Sequence, residues 1–286
     1  MRHINTNAID VPDNWLDIAK QELGNTYPSL WTFFKDTFEE KFGKKCWFTE
    51  SENIGAVNPI DHFRPKANNV AKLSSTNADL VQNIWDRIDA ESRVGYPFLE
   101  FEFTNFRYAC AFCNSLNKDE SKKAKGKRNY FPLKKGSAYA SSIRELPLET
   151  NCLLDPCVST DPELLTFNER GEVKPHVSVL ESDWEYCRVK VSIELYHLHY
   201  SVFVERRSEI WDSCKTRIEI VDSLIKKINL TKEEQGCLQH YIMELKKMSH
   251  RRTQFSAVSI DCIRHYKQKN RYFWLDKFFP ESKLAK

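Results

Sequence analysis

The feature that most constrains this chain is a short run from Pro59 to Pro65, in which an aspartate and a histidine stand side by side. Proline fixes its own φ angle and has no backbone N–H, so each end of the run interrupts regular structure. The run is therefore limited to a short extended segment. Because neighbouring side chains on a strand point to opposite faces, Asp61 and His62 can act on one group only if the backbone bends or the strand ends there.

These two side chains are of the types that metal-assisted phosphodiester hydrolysis requires. A neutral histidine can take a proton from water near pH 7, because its unperturbed pKa is about 6.5. Magnesium binds oxygen atoms, commonly from one or two carboxylates, and completes its shell with water and phosphate. An isolated Asp-His pair is more often an ordinary surface pair, so the hypothesis needs further residues.

The other candidate site residues come after a polar stretch at 67–95 that has no regular hydrophobic pattern. Residues 101–106 alternate apolar and polar side chains, which predicts a strand that pairs with the Asp-His segment or leads out of it. Asn105 lies near the end of this strand, and a turn or short helix then carries Cys-Ala-Phe-Cys-Asn over 110–114.

In this order, the Asp-His pair at 61–62, Asn105 and the Cys-x-x-Cys-Asn motif at 110–114 resemble the core of ββα-metal (HNH) endonucleases. The wider sequence, Asp-His-Phe-Arg-Pro-Lys at 61–66 and Leu-Asp-Pro at 154–156, is similar to the HNH nuclease subunit of Septu-type antiphage systems. This is the PtuB family, some members of which accompany retrons. The similarity extends over about residues 30–265, and its specific residues lie between 46 and 135.

The resemblance implies a role for each matching residue. Asp61 and Asn114 would be the protein ligands of a catalytic Mg²⁺ or Mn²⁺ ion, and His62 would be the general base. Asn105 would orient the His62 ring through a side-chain contact that fixes its tautomer. With a single carboxylate, the free site should bind Mg²⁺ weakly, and substrate phosphate would complete the shell.

Basic side chains near these motifs are candidate contacts to nucleic acid. The net charge of +3, from 43 basic and 40 acidic residues, is too mild to indicate such binding by itself. Basic residues are concentrated between Lys118 and Lys135, which would attract a phosphate backbone and make binding salt-sensitive. A solvated loop explains that segment equally well when it is taken alone. The candidate contacts are Arg64, Lys66, Lys118, Lys122 and Lys123.

One position departs from the family pattern. Many members frame the core with two Cys-x-x-Cys pairs that hold a structural zinc, whereas here the first pair ends in Thr49. Structural zinc takes four Cys or His ligands. Zinc is therefore absent, or held by Cys46, Cys110 and Cys113 with a water or a remote residue, or the cysteines are simply buried. We favour the absence of zinc, which leaves the catalytic ion unaffected.

Composition limits the class of protein. The 286 residues are 41% hydrophobic, which is typical of a globular chain of one large or two ordinary domains. No apolar run approaches the roughly 18 residues that span a bilayer, and no signal peptide opens the sequence. Nine scattered cysteines fit reduced thiols. These features predict a cytoplasmic protein without a membrane partner.

The predicted fold class is α+β, mainly α-helical with a small ββα-metal core. Residues 1–45 are predicted to form a helical lead-in, and 46–135 the nuclease core with an insertion at about 67–95. Residues 136–286 are predicted to form a helical domain that offers a partner surface.

Local patterns predict individual elements. The expected helices cover 10–24, a segment capped by Ser29 and closed by Gly43, a short piece within 78–90, and most of the chain from Asp183. The Thr231-Lys-Glu-Glu234 sequence predicts a capping box, and 255–267 a further helix. A small hairpin is expected over 166–173, and Val191, Leu195, Leu198 and Val202 are expected to share one helical face.

The resemblance implies a nuclease effector of phage defence that works with an ABC/SMC-like ATPase of the PtuA type. In a retron-linked system, a reverse transcriptase and its RNA–DNA product would be further partners. Duplex DNA is the default substrate for this core, and structured RNA such as tRNA stays open. The alternative is a catalytically inactive subunit with the HNH fold that serves as a nucleic-acid-binding or scaffold protein.

Overall fold

The structure is a computed structural model that describes residues 1–24, 30–53, 58–67, 69–118 and 124–284. Within these ranges the chain is α+β, because helices dominate and the strands form small two-stranded sheets. The α-helices are α1 (Trp15–Leu23), α2 (Lys35–Phe42), α3 (Gln82–Trp85), α4 (Ala111–Asn114), α5 (Trp184–Leu195), α6 (Ser201–Ile225), α7 (Lys232–Met248), α8 (Ser256–Lys267) and α9 (Trp274–Phe278).

The strands pair antiparallel in five sheets of the described residues. They are β1 (Ile60–His62) with β5 (Phe106–Tyr108), β2 (Asn69–Val70) with β4 (Arg93–Val94), β3 (Ile88–Asp89) with β8 (Leu133–Lys134), β6 (Asn117–Lys118) with β7 (Ala124–Lys125), and β9 (Leu165–Phe167) with β10 (Val173–Pro175). The predicted hairpin at 166–173 is therefore confirmed.

The helical lead-in packs against the β1–β5 pair. Trp15 of α1 and Phe34 lie in one hydrophobic cluster with Ile60 and Phe106. A 3-10 turn over Leu30–Phe34 leads into α2, which ends where predicted, at Gly43 with φ +88°. A Cβ there would lie 2.6 Å from the carbonyl oxygen of Arg252, so the position requires glycine. Ser29, the predicted N-cap, lies outside the described residues.

The strand predicted over 101–106 is wrong in its first part. Phe103–Asn105 form a 3-10 turn, and β5 begins only at Phe106. Phe103 and Phe106 are three residues apart, which places both on one side of a tight turn, and their ring centroids lie 5.9 and 6.1 Å from those of Phe38 and Phe34 respectively. Aromatic packing against the lead-in therefore replaces the alternation of a strand.

From Trp184 onward the described chain is mainly helical, as predicted from Asp183, and α6 packs along α7 and α8. The capping box of α7 is confirmed, because the Thr231 hydroxyl accepts the Glu234 N–H and the Glu234 carboxylate accepts the Thr231 N–H. The predicted stripe that ends in Val202 is wrong at that residue, which is 51% exposed. The chain leaves α5 after Leu195 and turns at His197, whose φ is +54°, so the helical register does not continue.

A second hydrophobic cluster joins the middle of the chain to the C-terminal helices. Phe63 and Cys113 belong to it, together with Val191 of α5 and Ile260 of α8. The segment around β1 is consequently held from two sides, by the lead-in and by the helical body. Among the described residues, no helix is both long enough and apolar enough to cross a membrane.

Candidate active site

Four of the predicted site residues, three of them candidate catalytic or metal-binding residues, line one open cleft. Asp61 and His62 of β1 face a cavity of about 740 Å³ together with Asn114, the last residue of α4. Lys66 and Arg128 lie at its edges. Residues that are distant in sequence thus meet at one cavity.

The His62 ring is held in a defined tautomer. Its Nε2 lies 2.8 Å from the carbonyl oxygen of Glu100, and a carbonyl only accepts, so Nε2 carries the proton and Nδ1 keeps its lone pair. Trp31 and Phe106 contact the ring edge-to-face, with centroids 5.0 and 5.2 Å away. Burial lowers the pKa of His62 below its usual range. The ring is therefore neutral at pH 7, with a basic Nδ1.

The Asn105 side chain makes hydrogen bonds to the backbone of Arg64 and not to the His62 ring. Its Oδ1 accepts the Arg64 N–H at 2.8 Å, and its Nδ2 donates to the Arg64 carbonyl at 3.0 Å. The predicted side-chain contact between Asn105 and the His62 ring is wrong, because both ends of the amide are used on Arg64 and the Glu100 carbonyl orients the imidazole. Asn105 instead fixes the segment two residues after the histidine.

Asp61 has a partner that the sequence patterns did not indicate. Its Oδ2 lies 2.8 Å from Lys127 Nζ, in an orientation that leaves the buried oxygen without a directed hydrogen bond. The Lys127 ammonium also donates to the His62 carbonyl at 2.9 Å. The Lys127 side chain is 1% exposed, so it does not belong to an exposed basic loop, and no local pattern distinguishes it from its neighbours.

Asn114 presents a carboxamide that makes no hydrogen bond within the part of the chain that the structure describes. Its backbone is fixed, since its N–H donates to the Cys110 carbonyl at 3.0 Å and its carbonyl accepts the Arg128 N–H at 2.6 Å. A carboxylate oxygen of Asp61 and the amide oxygen of Asn114 are the hard ligands that Mg²⁺ or Mn²⁺ takes. The donor set at the cleft therefore fits such an ion.

The predicted phosphate contacts divide into separate groups. Arg64 is partly buried, with its Nε 2.9 Å from the fully buried Glu149 Oε1, so its predicted phosphate contact would have to form beside this salt bridge and stays a prediction. Lys66 stays at the cleft edge, 2.5 Å from Glu100 Oε1 and 3.7 Å from the Trp31 ring centroid. Lys118 is exposed in β6. Lys122 and Lys123 lie outside the described residues.

Arg128 is a cleft residue that the sequence patterns marked only as one of a basic run. It is exposed, lines the cavity and has no ion-pair partner within the described ranges. Its φ of +46° belongs to the left-handed region, which directs the chain sharply after Lys127. Arg128 is therefore better placed than Arg64 to meet a phosphate.

The cysteines predicted to form one group do so. The Sγ atoms of Cys46, Cys110 and Cys113 all lie within 4.8 Å of one another and are buried. Thr49 Oγ1 lies 3.8 Å from Cys110 Sγ and is already bonded to the Ser51 hydroxyl at 2.7 Å. Three thiols fit three corners of a tetrahedral zinc site, and the fourth corner is a hydroxyl, so the residues fit a closed structural site only in part.

Taken together, these features define an α+β protein with an Asp-His-Asn cleft next to a buried three-thiol cluster. The protein named Septu protein PtuB from Bacillus mycoides (strain KBAB4) is 26% identical to the chain over 211 residues, which are 73% of this chain and 61% of that protein. This similarity supports membership of the PtuB family. The matched region spans less than two thirds of that relative. No protein-family model matches the chain, and no solved structure matches it at a significant level.

Proposed function

We propose that the protein is a metal-dependent endonuclease of the HNH type that hydrolyses phosphodiester bonds. The observation that carries the proposal is the presence of Asp61, His62 and Asn114 on one cleft, with the histidine in its neutral, Nε2-protonated form. A divalent ion at the two oxygen ligands would supply the positive charge that a cleaved phosphate needs.

Each side chain at the cleft has a separate role in phosphodiester hydrolysis. His62 Nδ1 takes the proton of an attacking water, and the Glu100 carbonyl stabilises the imidazolium that results, because its Nε2–H bond strengthens when the ring is charged. Asp61 and Asn114 would hold the cation. Arg128 and Lys66 at the cleft edges attract the phosphate backbone.

The similarity to Septu protein PtuB supports a role in antiphage defence, and we propose that the protein acts beside an ABC/SMC-like ATPase of the PtuA type. A reverse transcriptase with its RNA–DNA product is a further partner if the system is retron-linked. Such a nuclease has to be held inactive until infection, since unregulated cleavage damages the host. Duplex DNA is the substrate that we favour, and tRNA-like RNA is the other class to assay.

The experiment is a digest of plasmid, genomic DNA and total RNA by the purified protein together with its ATPase partner, with Mg²⁺ or with chelator. We expect fragments from one of these substrates with Mg²⁺ and none with chelator. Intact substrates in every reaction that contains the complete, active complex would favour the alternative, a catalytically inactive nucleic-acid-binding or scaffold subunit.

Cleavage should depend on pH through His62. Burial lowers the pKa of this ring, so the neutral form persists to lower pH than for an exposed histidine. The value of kcat/KM should therefore fall on acidification with an apparent pKa below about 6.5. Rates across pH 5 to 8 at saturating metal measure this, and an acid limb centred above pH 7 would be inconsistent with a buried neutral base.

The zinc content of the protein is predicted to depend on whether residue 49 is threonine or cysteine. We propose that the protein as it stands holds no structural zinc, because the fourth corner of the thiol cluster is the Thr49 hydroxyl. The Thr49→Cys variant should gain one zinc ion per chain, and its melting temperature should rise and fall back with chelator. Metal analysis after gel filtration checks both proteins. A stoichiometric zinc in the unmodified protein would refute the proposal, and Thr49→Cys/Cys113→Ser is the matched control that should lose the ion.

A further inference from the structure

A buried lysine lies directly beneath the cleft. Lys127 Nζ is 2.8 Å from Asp61 Oδ2 and 2.9 Å from the His62 carbonyl oxygen, and its side chain is 1% exposed. A lysine is rarely buried to this extent without a paired charge. Its ammonium is therefore a fixed positive charge in contact with the carboxylate of one cleft residue and the backbone of the next.

The backbone of Lys127 ties the same place to α4. The Lys127 N–H donates to the Cys113 carbonyl at 2.8 Å, and the following N–H donates to the Asn114 carbonyl at 2.6 Å. A Cβ at the preceding Gly126, whose φ is +142°, would lie only 2.0 Å from the Ser115 carbonyl oxygen. Only glycine permits this close approach. The glycine at 126 therefore allows Lys127 to contact both β1 and α4.

The two oxygens of Asp61 are consequently different. Oδ2 is buried against the ammonium, and the residue faces the cleft, so Oδ1 is the atom left for a cation. The unit charges of Asp61 and Lys127 cancel. A divalent ion at the cleft therefore meets protein oxygens without net negative charge, and a substrate phosphate brings the negative charge that is lacking.

We propose that Lys127 is the positioning residue of the metal site, which rests on the proposed function. It directs one oxygen of Asp61 toward the cleft and keeps the divalent-ion affinity of the free protein low, so that the ion is bound firmly only together with a phosphodiester. In this way the intact Asp-His pair stays without a tightly bound ion until nucleic acid occupies the cleft.

The test is Mn²⁺ binding by the free protein, measured by the loss of the free-ion electron paramagnetic resonance signal. Lys127→Met keeps the length of the side chain and removes its charge, and it should bind Mn²⁺ at least tenfold more tightly than the unmodified protein. Lys135→Met removes the same charge from an exposed position and should leave the affinity within twofold. A folded Lys127→Met protein with unchanged or weaker Mn²⁺ binding would overturn the inference, since a purely structural lysine predicts that result.

Two further measurements distinguish a failure of this inference from a failure of the proposed metal site. In the unmodified protein, a non-cleavable phosphorothioate oligonucleotide should tighten Mn²⁺ binding at least tenfold, and the absence of such coupling refutes the inference even if Lys127→Met does not fold. Asp61→Ala should abolish cleft binding of Mn²⁺. If Asp61→Ala binds Mn²⁺ as the unmodified protein does, the proposed metal site itself is wrong, whereas loss in Asp61→Ala without tightening in Lys127→Met removes only the role of the lysine.

Discussion

Replacement of His62 by alanine is expected to lower the rate of nucleic-acid cleavage by about 10²–10⁴-fold, which is the usual contribution of a general base. The ring is neutral, its Nε2 proton is held by the Glu100 carbonyl, and its Nδ1 is free of hydrogen bonds within the described residues. No other histidine lines the cleft among those residues, so a second imidazole is not available to replace it.

Two controls make the His62→Ala result specific. Nucleic-acid binding by the variant in a gel-shift assay should stay close to that of the unmodified protein, because the charged side chains at the cleft edge remain. The His240→Ala variant removes an imidazole from the exposed face of α7 and should cleave normally. Cleavage by His62→Ala at the unmodified rate would exclude this residue as the base.

The second large effect is expected on stability, from Glu50→Ala. Glu50 is 1% exposed, and its Oε1 lies 2.7 Å from the equally buried Lys45 Nζ. Its carboxylate also accepts the Ala257 N–H at 3.1 Å, at the start of α8. Burial alone would raise the pKa of Glu50, but the charges of Lys45, the N-terminal ammonium and Arg2, together with the Lys45 hydrogen bond, outweigh burial and hold the pKa well below its usual range. The pair thus joins the segment before the cleft to the C-terminal helices.

Removal of one partner leaves the other as an uncompensated buried charge, which costs about 3–5 kcal/mol. In a chain of this size we expect the melting temperature of Glu50→Ala to fall by the order of 10 °C. The double variant Lys45→Met/Glu50→Leu removes both charges and should regain part of the loss. Thermal unfolding followed by circular dichroism measures all three proteins, and a Glu50→Ala variant as stable as the unmodified protein would show that the pair contributes little.

The parts of the structure that sequence predicts well are those that depend on local patterns. The capping box at Thr231, the end of α2 at Gly43 and the hairpin of β9 and β10 each follow from residues a few positions apart. The order of Asp61, His62 and Asn114 likewise indicated one site, because the motif itself contains the spacing. The cleft that these residues share is consistent with that expectation.

The errors concern contacts between residues far apart in the chain. The pair between Arg64 and Glu149, for example, joins residues 85 positions apart, and no local pattern indicates it. Lys127 and Arg128 are adjacent basic residues, and one is buried under Asp61 whereas the other is exposed at the cleft. Composition and periodicity treat such neighbours alike, and only the tertiary structure shows which side of the backbone each side chain takes.

The most direct test of the central claim is the position of a divalent ion relative to His62. A crystal of the protein with Mn²⁺ and a phosphorothioate oligonucleotide should give one anomalous peak coordinated by Asp61, Asn114 and a phosphate oxygen, with the His62 ring facing the same phosphorus. An ion bound at another place while the oligonucleotide occupies the cleft, or a phosphate beyond the reach of His62, would contradict the account.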